Sequence, residues 1–191
     1  MKFLYFLAFL FGADNWKIDQ LPEELKEALD DFDKANSNVL DIGCGDGRQC
    51  ISLASAGWRI IGVDYVPLAI RKAKLSAKRA QVLDRTTFYT GDVSNLKDIN
   101  FPPIHFAYDI GCFHLLKPKQ VDGYISDLSD LLVKDGLFLL NAFTPRLQGR
   151  KTVGFDHRTI EELFKPKFKI ERTSNHSYWR FPANWYWLRR L

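Results

Sequence analysis

A chain of 191 residues is long enough to bury one substantial core and hardly long enough for two. Its 46% hydrophobic and 26% charged residues, without repeats or low-complexity tracts, are those of a soluble globular protein, and three cysteines with no C-x-x-C pair argue against a disulfide framework or a metal site and suit a reducing cytoplasm. The net charge of +4 is uneven: residues 1–149 carry 17 Lys/Arg against 19 Asp/Glu and residues 150–191 carry 10 against 4, so the tail is a solvated basic rim or a surface for an acidic partner.

The first stretch, M-K-F-L-Y-F-L-A-F-L-F-G-A, has an apolar run from Phe3 to Phe11, far shorter than the ~20 residues of a membrane helix. As a signal peptide it would put Phe11 three residues before a cut at Ala13, where a small side chain is wanted. The segment is expected to be retained, with secretion and peripheral membrane attachment as the alternatives. Leu21, Leu25, Ala28, Leu29 and Phe32 then recur at helical spacing. Val39–Ile42 is a short strand entering V-L-D-I-G-C-G-D-G-R, and Arg48–Ala56 is a helix stopped by Gly57. Arg59–Val63 is a second strand, and Pro67 opens a helix with Ile70, Ala73, Ala77 and Ala80 on one face. Thr86–Thr90 and Phe106–Ile110 are the third and fourth strands. Val121, Tyr124, Ile125, Leu128, Leu131 and Leu132 mark a long helix, and Leu137–Phe143 reads as a continuous apolar, central fifth strand. Asp156 caps a short helix carrying Ile160, Leu163 and Phe164, and strands near Phe168–Thr173 and Trp185–Arg190 close the chain.

Strands alternating with helices predict an α/β fold: a three-layer, doubly wound parallel sheet covered on both faces. In such sheets ligands bind outside the carboxyl ends of the strands, where the strand order reverses. The loops that matter are Asp41–Gly47, Asp64–Pro67, Gly91–Val93 and Asp109–His114, and each carries an acid. The glycines at 43, 45 and 47 do not follow the dinucleotide G-x-G-x-x-G spacing, and no G-K-[ST] follows them. Asp41 and Asp46 would repel a pyrophosphate. The loop suits a ligand that lies close to backbone and is not anionic there, an approach that Gly43 and Gly45 allow by lacking a Cβ. Asp64, about twenty residues beyond the loop, can accept two hydrogen bonds from a ribose diol. Asp92 can accept from an adenine amine, and Asp41 can attract an ammonium. Singly each acid reads as a helix N-cap. Together they describe S-adenosyl-L-methionine.

Over nearly its whole length the chain resembles class I S-adenosylmethionine-dependent methyltransferases. V-L-D-I-G-C-G-D-G resembles the first motif of that superfamily, Val63-Asp64 its acidic ribose motif, and Gly91-Asp92-Val93 its adenine motif. The resemblance implies about seven strands with the last antiparallel, here Trp185–Arg190, in a single domain over residues 1–191 with 1–35 as an N-terminal lid or helix. It implies Asp41, Gly43, Cys44 and Gly45 around the methionine end of the cofactor, Asp64 and Tyr65 at the ribose, Asp92 and Val93 beside the adenine, and S-adenosyl-L-homocysteine as product. F-A-Y-D-I-G-C-F-H-L-L, Trp16 with L-P-E-E-L, and N-W-Y-W-L-R-R further resemble the thiopurine S-methyltransferase-like, small-molecule branch. That branch implies Trp16, Phe113 and His114 as acceptor contacts.

A sulfonium methyl is already electrophilic, so the protein chiefly aligns a nucleophile and excludes water, which can account for ~7–11 kcal/mol. A thiolate or chalcogen anion needs no base; a hydroxyl or amine does, and His114 and Asp109 are the candidates. Asp109 is alternatively a holder of the cofactor amine. Cys44 and Cys112 read as packing residues rather than nucleophiles. Trp16 is expected to close over a small acceptor. The alternatives are a nucleic-acid or protein methyltransferase, for which Lys165, Lys167 and Lys169 on one face of an extended segment would track phosphates, and a catalytically silent cofactor-binding subunit.

Overall fold

The computed structural model describes residues 20–148, 151–175 and 182–191. The apolar stretch Phe3–Phe11 and the expected lid residue Trp16 lie outside the described residues.

Seven strands form one sheet: β1 (Asn38–Ile42), β2 (Arg59–Asp64), β3 (Thr86–Thr90), β4 (Ile104–Ile110), β5 (Leu132–Phe143), β8 (Phe168–Ser174) and β9 (Ala183–Arg190). The order is β3-β2-β1-β4-β5-β9-β8. β1 to β5 are parallel, and β9 runs antiparallel to both its neighbours, β5 and β8. The doubly wound sheet and its antiparallel last strand are as expected.

Helices α1 (Glu23–Leu29), α2 (Arg48–Ser55) and α3 (Pro67–Arg79) cover one face of the sheet. The other face is covered by a 3-10 segment (Val93–Asp98), α4 (Pro118–Leu131) and α5 (His157–Phe164). The helical spacing explains the burial: Ile70, Ala73 and Ala77 of α3 face one side, and Val121, Tyr124, Ile125 and Leu128 of α4 the other. Strand residues of both parities are buried, Leu40 with Leu140 on one face and Val39 with Leu139 on the other, because helices cover both faces. α1 buries Leu25, Ala28 and Leu29 beside Phe106 and Phe32, so the helix of the N-terminal segment is a layer of the core.

Four details differ from expectation. β5 begins at Leu132, which was assigned to the helix face, and runs to Phe143. Lys134-Asp135-Gly136 reads as a turn, and the strand absorbs it as an irregularity: Asp135 has φ +60° and the pairing jumps from Ile104↔Leu132 to Phe106↔Leu137. Ala80 is exposed at the end of α3 rather than on its buried face. Lys165 sits in the helical C-cap of α5, so the three lysines do not share an extended segment. An unexpected hairpin, β6 (Arg146–Gln148) and β7 (Lys151–Val153), follows β5 at its carboxyl end. Among the described residues no helix is long and apolar enough to cross a membrane.

Candidate functional site

The strand order reverses between β1 and β4, and the carboxyl ends of β1, β2, β3 and β4 bring Asp41, Asp64, Asp92 and Asp109 to one edge of the sheet. Each is held by specific donors.

Asp64 ends β2 and is 7% exposed. Its Oδ2 accepts from the Gly45 N–H at 3.0 Å and its Oδ1 from the Val66 N–H at 2.8 Å. One carboxylate thus ties the glycine loop to β2 and opens the turn into α3. Burial pushes its pKa above the usual carboxylate range. Asp41 accepts from the Tyr108 hydroxyl at 2.8 Å and the Cys50 thiol at 3.1 Å, and burial pushes it up to about 7, with Asp109 and Asp64 adding like charge. Asp92 is half-buried; its Oδ1 accepts from the Ser94 N–H at 3.1 Å and the Ser94 hydroxyl at 2.8 Å. The Ser94 hydroxyl oxygen in turn accepts from Gln120 of α4 at 3.1 Å.

Asp109 is fully buried and accepts from the Cys112 and Phe113 N–H groups on Oδ1 at 2.8 and 3.2 Å and from the Tyr124 hydroxyl on Oδ2 at 2.8 Å. Burial raises it to about 6. Oδ1 holds the loop after β4 and Oδ2 holds α4 through Tyr124, so both oxygens of the expected general base are engaged in positioning these elements. Asp64, Asp92 and Asp109 all cap the turn that follows them. Capping and ligand reading therefore coincide in the same carboxylates.

The glycines have more than one reason. Gly43, Gly45 and Gly47 all take positive φ, at +80°, +55° and +76°. A Cβ on Gly43 would stand 2.6 Å from Cys112 Cβ, and one on Gly47 would stand 2.8 Å from Ala73 Cβ. Gly43 is small because the β4 loop packs on it, a reason that stands beside the expected approach of a ligand. Cys44 is a packing residue: its Sγ lies where a Cβ on Gly62 would be 2.8 Å away, and burial pushes its thiol up to about 11. Tyr65 is half-buried beside Val66, Leu68 and Ala69. Val93 is 5% exposed and belongs to the core, so its side chain packs inward.

Two expected acceptor contacts separate. Phe113 is fully buried, with ring centroids 4.8, 5.3 and 5.5 Å from Phe155, Tyr124 and Phe164, and its side chain is core rather than acceptor surface. His114 stacks on Phe143 at 3.8 Å, with its Nδ1 buried and without a hydrogen-bond partner. Burial and the nearby Arg146 charge push His114 down to about 3, so the imidazole is neutral. The Arg146 guanidinium lies over Phe143, 5.0 Å from its ring centre. Arg146 and Phe143 escaped the sequence reading, as did Asn141, a fully buried polar side chain in β5. Its signal was an Asn interrupting the apolar run L-F-L-L-N-A-F, which corrects the description of that strand as continuously apolar.

A methyltransferase domain family model matches residues 39–136, just over half of the chain. The chain belongs to this methyltransferase family. An uncharacterised methyltransferase of Schizosaccharomyces pombe is 34% identical over 121 residues, covering 61% of this methyltransferase and 79% of the relative. A 2-heptyl-1-hydroxyquinolin-4(1H)-one methyltransferase of Mycobacteroides abscessus is 33% identical over 118 residues, 60% of this chain and 49% of that one. Among solved structures, the Burkholderia thailandensis 1,6-didemethyltoxoflavin-N1-methyltransferase, crystallised with 1,6-didemethyltoxoflavin and S-adenosylhomocysteine, has a similar fold. Its TM-score is 0.78 at 21% identity, with 99% of this chain and 89% of that one covered.

The methyl donor of this methyltransferase is S-adenosyl-L-methionine and its product S-adenosyl-L-homocysteine. The residues fit that donor. Three buried carboxylates, Asp41, Asp64 and Asp109, gather at the switch point, and Asp41 feels the charge of the other two. Such a cluster favours a ligand carrying positive charge. When bound, the donor supplies an electrophilic methyl group on its sulfonium. The chain's own part is to hold the loops, orient the acceptor and keep water out.

Proposed function

We propose that this methyltransferase modifies a small planar acceptor that is already nucleophilic near neutral pH: a thiolate, a chalcogen anion, or an acidic hydroxyl or N–H of a heteroaromatic ring. The observation that carries this is His114. A base whose conjugate acid has a pKa of about 3 takes a proton poorly from an ordinary alcohol or ammonium, so it orients the acceptor rather than ionising it. Phe143 is buried and backs the half-buried His114 imidazole, which is the ring a planar acceptor can lie against, and Arg146 nearby favours negative charge there. The relative named for a hydroxyquinolone and the structural neighbour that binds 1,6-didemethyltoxoflavin support a heteroaromatic acceptor. Three free cysteines are consistent with a cytoplasmic location.

A methyl-transfer screen with radiolabelled donor tests this reading. Thiophenols, N-hydroxy heteroaromatics and phenols of graded acidity form one arm, and bulk RNA and DNA another. Rates are expected to rise with acceptor acidity and to be absent on nucleic acid. Lys165, Lys167 and Lys169 are exposed at or before the start of β8, opposite the carboxyl ends that form the site. Lysines on an edge strand also guard against edge-to-edge pairing. Replacing all three with Gln leaves turnover of the small acceptor unchanged. A steep salt dependence of turnover that these changes remove would instead favour nucleic acid.

In this reading Asp64 holds the ribose, Asp92 the adenine amine, and Asp41 attracts the methionine ammonium. Asp41 has its pKa at about 7 in the free protein, and only its ionised form attracts a cation. Affinity for S-adenosyl-L-homocysteine therefore rises with pH through about 7 and falls below it, by up to tenfold per pH unit. Asp41→Asn flattens that dependence between pH 6 and 8 and weakens binding at pH 8. Calorimetry giving the same slope for variant and wild type would remove Asp41 from the ammonium site.

A further inference from the structure

Folded proteins pair nearly all their buried polar groups, so a fully buried amide with no partner calls for an explanation. Asn141 is such a group: it is 0% exposed, and neither its Nδ2 nor its Oδ1 has a hydrogen-bond partner. It stands in β5 opposite Ile110 of β4 and Trp185 of β9, and its amide makes no hydrogen bond to the Trp185 indole.

Its position supplies an explanation. Strand side chains alternate, so Asn141 shares a sheet face with Phe143, the last residue of β5. The same face carries Asp41, whose row runs through Tyr108 to Leu139, and the next row toward the carboxyl ends on that face pairs Ile110 with Asn141. Phe143 is the ring on which His114 stacks, and His114 Nδ1 is also buried and unpartnered. One unpartnered polar group thus stacks on Phe143, and the other stands two residues before it on the same face of β5. An Asn side chain presents an N–H donor beside a C=O acceptor, the complement of a lactam edge.

We propose that Asn141 is a specificity residue of the acceptor site, pairing with an acceptor that carries adjacent N–H and C=O groups on a planar ring. This rests on the small-acceptor reading above and names the edge by which that acceptor is held. Leu at this position would match the branching of Asn and remove the unmet polarity, so Asn141→Leu is expected to raise the melting temperature while losing recognition. Asn141→Ser serves where the leucine variant does not fold.

The test measures binding rather than turnover, by calorimetry in saturating S-adenosyl-L-homocysteine. The probes are 2-quinolone, N-methyl-2-quinolone and quinoline. Wild type is expected to bind 2-quinolone at least tenfold more tightly than either of the others. The Asn141 variants abolish that preference and leave the affinity for S-adenosyl-L-homocysteine unchanged. Equal affinity of wild type for the three probes, no binding of any of them, or a preference that survives in the variants overturns the proposal. Failure of the small-acceptor reading looks different: no acceptor in the transfer screen is methylated, whatever the probes do.

Discussion

Replacing Asp64 with Ala weakens binding of S-adenosyl-L-homocysteine roughly 5- to 150-fold, about 1–3 kcal/mol, the cost of losing hydrogen bonds to a charged group. The effect has two sources. In the ribose assignment the carboxylate accepts from the diol. In the free protein the same carboxylate holds the Gly45 and Val66 N–H groups, so its removal also loosens the glycine loop. Asp64→Asn separates them: an amide still accepts on its oxygen, but it turns an NH2 toward one of the two backbone donors. Asp46→Ala is the control, because Asp46 pairs with its exposed neighbour Arg48 at 3.2 Å, and it leaves affinity within a factor of two or three. Calorimetry on folded protein, with the melting temperature measured alongside, decides the matter. Unchanged affinity in Asp64→Ala would sink the ribose assignment.

Asp109→Ala is expected to act on stability before it acts on chemistry. It leaves the Cys112 and Phe113 N–H groups and the Tyr124 hydroxyl without their acceptor. Orphaning buried donors of this kind costs about 3–5 kcal/mol in all. For a chain of this size that lowers the melting temperature by roughly 6–20 °C. Tyr124→Phe removes one of the orphaned donors, so the double variant Asp109→Ala with Tyr124→Phe loses less than the sum of the two single changes. A general base would leave another signature. Turnover would fall by about 10²–10⁴-fold in a variant whose melting temperature hardly moved. That result for Asp109→Asn would restore the catalytic role.

Alternation of apolar strands with amphipathic helices was enough, by itself, to determine a doubly wound sheet, because a strand feeding a helix packs back in only one way. Glycine spacing ruled out dinucleotide and triphosphate loops. The four acids at strand ends were legible because strand ends are where the polar residues of such a sheet converge. Only the tertiary structure decided what each of them touches. Asp109 and Asp64 look alike in sequence, yet Asp109 is closed in by Tyr124, fifteen residues away, while Asp64 joins two loops at the edge of the site. Gly43 is small on account of Cys112, a neighbour that arrives from another strand. Phe113 and His114 are adjacent in the chain but part company: the first enters the core between α4 and α5, and the second stacks on Phe143. Asn141 meets Trp185 only because β9 returns antiparallel beside β5. Periodicity in a sequence records which face of an element is buried; it does not record which distant element comes to cover that face, and the chemistry of this site depends on the second.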